Sequence, residues 1–237
     1  MKKTLLNLDF TKIEELPRDI FNVQVGEKWA NQELQHYVDD QEHLRLTKNG
    51  LVIEATFTDG IYKSARINTK GKFTFLYGRI DIIAKLPLGK GTWPALWMMS
   101  DDNRYGYWPK SGEIDIMEHV GREPGKLLLC IHTEKYNHRN KEQYFTELDV
   151  PCITEGFHEY SVDWKKDSLV YLLDDVEVAR YNKGQYGYDQ TYAGWPFDHP
   201  YYFLINLAIG GVLGKDPDEK DFPQQFIIKS VKVSQDK

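Results

Sequence analysis

The stretch Leu51-Val52-Ile53-Glu54-Ala55-Thr56-Phe57, followed by Thr58-Asp59-Gly60, carries the pattern that decides the fold. Its first, third, fifth and seventh residues are apolar and alternate with neighbours that are more polar on the whole. Successive side chains of a strand point to opposite faces, so a period of two is typical of a β-strand with one face in a core. The sequence therefore predicts a strand that ends in a tight turn.

The same period recurs from residue 50 to the C-terminus. Residues 170–173 and 176–178 flank Asp174-Asp175, which predicts a hairpin with an acidic turn. Residues 201–209 are almost continuously apolar, as in a strand that is buried on both faces. Helical signals are weak, and residues 28–37 fit a short helix or a loop. We therefore expect an all-β sandwich of two antiparallel sheets.

Length and charge narrow the class of protein. The 237 residues contain no repeat or linker and are few enough for one sandwich, so we expect a single domain over 1–237. The net charge of −6 argues against nucleic acid or a membrane surface as a partner. Aromatic residues make up 14% of the chain, which suits a surface that receives sugar rings but suits a core equally well.

The N-terminus and the cysteines bear on cellular location. Residues 1–6 begin as a secretory signal does, but Asn7 and Asp9 end the apolar run early. We expect a cytoplasmic protein as encoded; the alternative is a secreted protein trimmed to its mature form. No apolar stretch is long enough to cross a bilayer. Cys130 and Cys152 lack metal-ligand spacing, and we expect two idle thiols unless export lets them pair.

The segment Gly112-Glu113-Ile114-Asp115-Ile116-Met117-Glu118 places three carboxylates among strand-forming apolar residues. In a regular strand Glu113 and Asp115 share a face, whereas Glu118 points to the other one. One extra residue, a β-bulge at Ile116-Met117, returns Glu118 to the same side. An exposed acidic strand is the plain alternative. Clustered carboxylates raise one another's pKa, which costs stability but serves a retaining glycosidase, since that enzyme needs two carboxyls close together.

The chain resembles glycoside hydrolase family 16 over nearly its whole length, and within that family the laminarinase-like endo-β-1,3-glucanases. The segment 112–118 looks like the family signature in its bulged form. Further runs match in order: Trp29-Ala30-Asn31-Gln32-Glu33-Leu34-Gln35, Ser64-Ala65-Arg66-Ile67, Gly91-Thr92-Trp93-Pro94-Ala95-Leu96-Trp97, Ile131-His132-Thr133, Trp195-Pro196-Phe197-Asp198 and Asn206-Leu207-Ala208-Ile209-Gly210-Gly211. The resemblance implies a concanavalin-like β-jelly roll whose concave sheet forms a substrate cleft.

The resemblance also implies roles for single residues. Glu113 is expected to be the nucleophile, Glu118 the general acid and then base, and Asp115 the partner that orients Glu113. Expected substrate contacts are Asn31, Arg66, Trp93, Trp97, Trp108 and His132. Some of these residues also have a purely structural alternative. The alternatives are core packing for Trp93 and Trp97, a structural histidine for His132, and a surface ion pair for Arg66.

Two positions depart from the family pattern. Val212-Leu213 replaces an expected aromatic, which puts one sugar subsite in doubt. Many relatives bind a structural calcium through an Asp of the last strand, where this chain has Lys229. A lysine cannot ligate calcium. By strand parity Lys229 shares the apolar face of Ile227, Val231 and Val233, and we expect its ammonium to replace the cation, so that no metal or other cofactor is needed.

The leading hypothesis is a monomeric, retaining endo-hydrolase of β-1,3-glucan or mixed-linkage β-1,3-1,4-glucan, acting on a polysaccharide or oligosaccharide. One alternative is a non-catalytic glucan-binding lectin on the same fold, although a lectin has no need of three clustered carboxylates. Another is a family member that cleaves a galactan or transfers glycosyl units.

Overall fold

The structure is a computed structural model that describes residues 2–185 and 190–236. It confirms the all-β architecture. Helix is confined, in these residues, to the short helix α1 (Gly211–Gly214) and two 3-10 turns, Ala30–Gln32 and Glu219–Asp221. The strands of the described residues are β1 (Lys2–Asp9), β2 (Asn22–Val23), β3 (His36–Tyr37), β4 (Leu44–Thr47), β5 (Gly50–Thr58), β6 (Ile61–Ser64), β7 (Arg66–Asn68), β8 (Gly78–Lys85), β9 (Thr92–Ser100), β10 (Glu113–Glu118), β11 (Lys126–His132), β12 (Tyr144–Asp149), β13 (His158–Lys165), β14 (Ser168–Leu173), β15 (Val176–Asn182), β16 (Tyr201–Ile209) and β17 (Gln224–Asp236).

The strands form two sheets that pack face to face. A ten-stranded sheet has the order β15-β14-β13-β8-β17-β5-β6-β3, with β1 beside β17 and β4 beside β5. A seven-stranded sheet has the order β12-β11-β10-β9-β16-β7-β2. Apart from the parallel pair β3 and β6, the paired strands are antiparallel. Apolar side chains of both sheets, such as Ile80 and Phe203, meet in one buried cluster, which is the core of a β-sandwich.

The turns at the ends of the alternating strands have the conformation that their residues predict. Asp59 and Gly60, with φ of 54° and 78°, connect β5 to β6. Asp174 and Asp175 have φ of 49° and 63° and connect β14 to β15. Left-handed conformation at both central residues matches the twist of a hairpin, and Asp tolerates it better than most residues do.

The apolar strand β16 lies between β9 and β7 and is buried on both faces, as its sequence predicts. Phe203, Ile205 and Leu207 enter the core between the sheets. Asn206 and Ala208 have the opposite parity and face a cleft on the outer side of the seven-stranded sheet. The strand therefore supports the core with one face and the cleft floor with the other.

The parity prediction for Lys229 is wrong. The register of β17 against β8 shifts between Ile228 and Ser230, so one extra residue inverts the alternation at this point. Ile228 and Val231 are buried on either side of the shift, whereas Lys229 is exposed with its Nζ 5.8 Å from the centre of the Phe157 ring. The strand thus keeps its core contacts and turns the lysine outward. The replacement of a cation by its ammonium stays a prediction.

The structure also bears on three other predictions, which concern the stretch 28–37, the two cysteines and membrane-spanning segments. The stretch 28–37 combines both alternatives, since it holds a 3-10 turn and loop before β3. Cys130 is buried and Cys152 exposed, and the two are unpaired. Within residues 2–185 and 190–236, no helix has the length and hydropathy of a membrane span.

Candidate active site

The predicted bulge lies in β10 at Ile116. Against β9, Asp115 pairs with Trp97 and Met117 pairs with Leu96, so Ile116 is the extra residue on the β10 side. The register against β11 shifts over the same interval. Two residues opposing one is the definition of a bulge, and it reverses the facing of every side chain that follows.

The reversal separates the carboxyls of β10 from its apolar side chains. Ile114 and Met117 are fully buried in the core between the sheets. Glu113, Asp115 and Glu118 line the cleft on the opposite face of the strand. The bulge is therefore what brings the two glutamates to the same surface.

The cleft has a volume of about 370 Å³. Its floor is the outer face of the seven-stranded sheet, with contributions from β7, β9, β10 and β16, and loops form its rim. Of the nine residues predicted for the site, eight line this cleft: Asn31, Arg66, Trp93, Trp97, Trp108, Glu113, Asp115 and Glu118. His132 lies beneath them, next to Asp115. The structure brings the predicted residues together, while their individual roles stay predictions.

Two tryptophans donate hydrogen bonds to the catalytic candidates. The indole Nε1 of Trp93 donates to Glu118 Oε1 over 2.9 Å. Trp108 donates to the carboxylate of Glu113. Trp93 is only 8% exposed, which leaves little ring surface for a sugar. Its position therefore suits orienting Glu118 better than the predicted platform role.

The three carboxyls share an environment that favours their neutral forms. Burial raises the pKa of Glu118 to about 7, opposed by the hydrogen bond from Trp93. Burial and then the charge of Glu118 raise the pKa of Glu113 to about 8, and burial raises the pKa of Asp115 well above its usual range. The groups titrate as a set, so at neutral pH the set holds at least one proton. A general acid in this cleft therefore has a proton to give at neutral pH.

His132 is a neutral histidine in contact with the carboxyls. Its Nε2 lies 3.4 Å from Asp115 Oδ2 and 3.8 Å from Glu113 Oε1. Burial, with a smaller effect of His138, lowers the pKa of His132 to about 4. The imidazole is thus uncharged at neutral pH and adds no positive charge that would keep the carboxylates ionised.

Arg66 is held by stacking rather than by a surface ion pair. Its guanidinium lies 5.1 Å from the ring centre of Trp29 and 4.9 Å from that of Trp97, and its Nε donates to Gln24 Oε1 over 2.6 Å. Cation–π contacts on two sides fix a planar group well. Arg66 is a cleft residue, and its charge lowers the pKa of Glu113.

A hydrogen-bonded chain beside Arg66 escaped the sequence analysis. Trp97 Nε1 donates to Asn206 Oδ1 over 2.7 Å, and Asn206 Nδ2 donates to the hydroxyl of Tyr37 over 3.0 Å. Tyr37 is hydrogen-bonded to Glu33, which also accepts from Gln35 Nε2 over 2.8 Å. The parity of Asn206 within the apolar strand β16 is the one sequence signal that points to this network.

Two further residues at the rim were also missed. Arg139 stacks 4.6 Å from the ring centre of Trp108, and His138 lies 5.2 Å from it. Both belong to the loop after β11 and line the cleft. They hold the loop tryptophan above Glu113.

The raised pKa of Glu113 gives a testable dependence of stability on pH. A carboxyl whose pKa is raised on folding stabilises the protein below its unfolded pKa, near 4, and this contribution is lost as pH rises through about 8. Glu113→Gln removes the ionisation, so the variant should gain melting temperature relative to the wild type between pH 5 and pH 8. Each pKa unit corresponds to about 1.4 kcal/mol, or about 3 °C for a chain of this size.

Differential scanning calorimetry at the two pH values measures this gain. Glu155→Gln, at an exposed glutamate, is the matched control and should show no gain. An equal difference in melting temperature between Glu113→Gln and the wild type at both pH values would contradict the raised pKa.

Known proteins are similar to this chain in sequence and in fold. The sequence model of "Glycosyl hydrolases family 16" matches residues 26–222. A "Beta-glucanase" of Rhodothermus marinus is 39% identical over 217 residues, which cover 88% of this chain and 76% of the relative. A "Glucan endo-1,3-beta-glucosidase" of Cryptopygus antarcticus is 36% identical over 222 residues, or 86% of this chain and 81% of the relative.

A solved structure supports the same assignment. The X-ray structure of the laminarinase from Rhodothermus marinus superposes with a TM-score of 0.93 at 35% identity, covering 99% of this chain and 98% of that one. The family match, the relatives and the fold agree with one another. The chain belongs to glycosyl hydrolases family 16.

Proposed function

We propose that the protein is a retaining endo-hydrolase of β-1,3-glucan, with mixed-linkage β-1,3-1,4-glucan as a second substrate. The observation that carries this proposal is the bulge at Ile116, which places Glu113 and Glu118 on one side of β10 in the same cleft. Relatives named as a laminarinase and a glucan endo-1,3-β-glucosidase support the choice of substrate.

The two glutamates divide the chemistry. The Glu113 carboxylate attacks the anomeric carbon while Glu118 gives its proton to the departing glycosidic oxygen, and a glycosyl ester of Glu113 forms. Glu118, now ionised, accepts a proton from water, and that water attacks the same carbon and releases Glu113. Two displacements on one carbon retain its configuration.

Asp115 and the aromatic residues support these steps. Asp115 shares a hydrogen bond with Glu113, which lowers the pKa of Glu113 and fixes the direction of its carboxylate. Trp97 offers a partly exposed ring to a sugar, and Trp108 stands over Glu113 from the rim. Arg66 and Asn31 supply hydrogen-bond donors for sugar hydroxyls from the opposite side of the cleft.

Release of reducing ends from laminarin, lichenan and agarose tests the proposal. The wild type should cut laminarin fastest, and Glu118→Gln should lose about 10²- to 10⁴-fold in kcat, since it lacks the proton donor. Glu113→Gln cannot form the ester and should lose at least as much while still binding laminarin. Proton NMR of the first product should show the β-anomer.

Other outcomes of these assays would support one of the alternative functions. Binding of laminarin without cleavage by the wild type would favour a lectin, and preferred cleavage of agarose would favour a galactanase. Products longer than the substrate, formed with added acceptor sugars, would favour glycosyl transfer.

The hydrogen bond from Trp93 gives a prediction for the pH profile. Deprotonation of Glu118, with its pKa of about 7, should produce the basic limb of kcat/KM near neutral pH. The Trp93 indole stabilises the ionised carboxylate, so Trp93→Phe should raise this pKa and move the limb to higher pH by about one unit.

The neighbouring tryptophan provides the control. Trp97 donates to Asn206 instead of a carboxylate, so Trp97→Phe should change KM without moving the basic limb. A limb that stays in place in Trp93→Phe would show that another group sets it.

We infer in addition that the fold needs no structural calcium. The support is the lysine at position 229, since an ammonium has no lone pair for a cation. Thermal melting in EDTA and in millimolar calcium should give the same midpoint for the wild type. Lys229→Asp should acquire a midpoint that rises with calcium. A wild-type midpoint that falls in EDTA would overturn the inference.

A further inference from the structure

Three ligand-bearing side chains converge beneath Glu113. In the register of β10 and β11, Asp115 lies opposite Cys130 and Glu113 lies opposite His132. Cys130 and His132 are two residues apart on β11, so both side chains point to the face that carries Asp115. Asp115, Cys130 and His132 are 3%, 1% and 7% exposed. The hydrolytic steps above make no use of the thiol.

Two distances within this trio match the edges of a tetrahedral metal site. His132 Nε2 lies 3.5 Å from Cys130 Sγ and 3.4 Å from Asp115 Oδ2, and the three ligand atoms lie within 4.8 Å of one another. Zinc bonds of about 2.3 Å to sulfur and about 2.0 to 2.2 Å to nitrogen and oxygen, at tetrahedral angles, give edges of about 3.6 Å and about 3.4 Å. An ion would fit here with little movement of the side chains.

A second observation points to a ligand at this place. Asp115 Oδ2 is buried and has no hydrogen-bond partner among the residues that the structure describes. A buried carboxyl oxygen without a hydrogen-bond partner is costly, and a cation that displaces the carboxyl proton satisfies it directly. Thiolate, imidazole and carboxylate together are the ligand set that zinc accepts in proteins.

We propose that Asp115, Cys130 and His132 form an inhibitory site for Zn²⁺ in the floor of the cleft. The ion reaches the site through the cleft, which Asp115 and Glu113 line. Glu113 Oε1, 3.8 Å from His132 Nε2, is placed to supply the fourth ligand. A glutamate bound to zinc has its lone pair engaged and cannot attack an anomeric carbon, so occupation of the site stops hydrolysis.

Cobalt absorption tests binding independently of any enzyme activity. Co²⁺ titrated into the wild type should produce a thiolate-to-cobalt charge-transfer band that saturates at one ion per chain and disappears on addition of Zn²⁺. Cys130→Val, which keeps a strand-forming residue of similar size, should lose the band. Cys152→Ala removes the exposed thiol and should keep it. A band that survives in Cys130→Val, or no band in the wild type, would overturn the proposal.

Inhibition is the second measurement, and it rests on the proposed glucanase activity. Zn²⁺ should inhibit the wild type and Cys152→Ala at the same concentration, with full recovery in EDTA, which separates metal binding from thiol oxidation. Cys130→Val should keep its basal rate and need at least tenfold more Zn²⁺. Equal inhibition of all three proteins would place the ion elsewhere and refute the site. An inactive wild type that still shows the cobalt band would refute the glucanase activity and leave the metal site standing.

Discussion

The rest of the site depends on the β-bulge at Ile116 in β10. With all six residues of β10 in one even pleat, Glu118 would point into the core with Ile114 instead of into the cleft, and the bulge at Ile116 turns it back. An isolated buried carboxylate costs far more than the ladder hydrogen bond that a bulge gives up. The bulge therefore lets one six-residue strand present apolar side chains to the core and acids to the cleft.

The clustering of three buried carboxyls opposes folding, and the packing of the rest of the sandwich compensates for this cost. Burial holds the three carboxyls of this strand face toward protonated forms that they would not adopt in water at neutral pH. Hydrogen-bond donors such as Trp93 and Trp108 offset only part of the cost of burying them. The compensation comes from the core, where β16 packs one whole face against the opposite sheet. Low dielectric around the acids is at once the source of the cost and the source of their reactivity.

Sequence reasoning succeeded where a local pattern has one physical meaning. Period two and the turn at Asp174-Asp175 predict strands and a hairpin, and the odd spacing of Glu113 and Glu118 requires a bulge if both are to act together. The bulge at Lys229 has no such companion, since no second functional residue on β17 fixes its parity. The parity argument therefore failed there.

Other parts of the site could not be predicted from the sequence, for a different reason. Glu33, Tyr37 and Asn206 meet through hydrogen bonds between positions up to 169 residues apart, and nothing in the spacing of a single chain predicts those contacts. Trp93 and Trp97 share parity and residue type, yet one donates to a carboxylate and the other to an amide. That difference is set by what lies opposite each ring.

The same electrostatic design explains both catalysis and the proposed sensitivity to zinc. A neutral sugar carries no charge in its ground state, and positive charge develops on the ring only in the transition state. A cleft floor rich in buried carboxyls stabilises that charge selectively, as differential binding requires. A small divalent cation carries permanently the positive charge that the substrate carries only in its transition state. Cys130 and His132 add soft ligands next to Asp115, so the floor of this cleft favours zinc over the cations that carboxylates alone would hold.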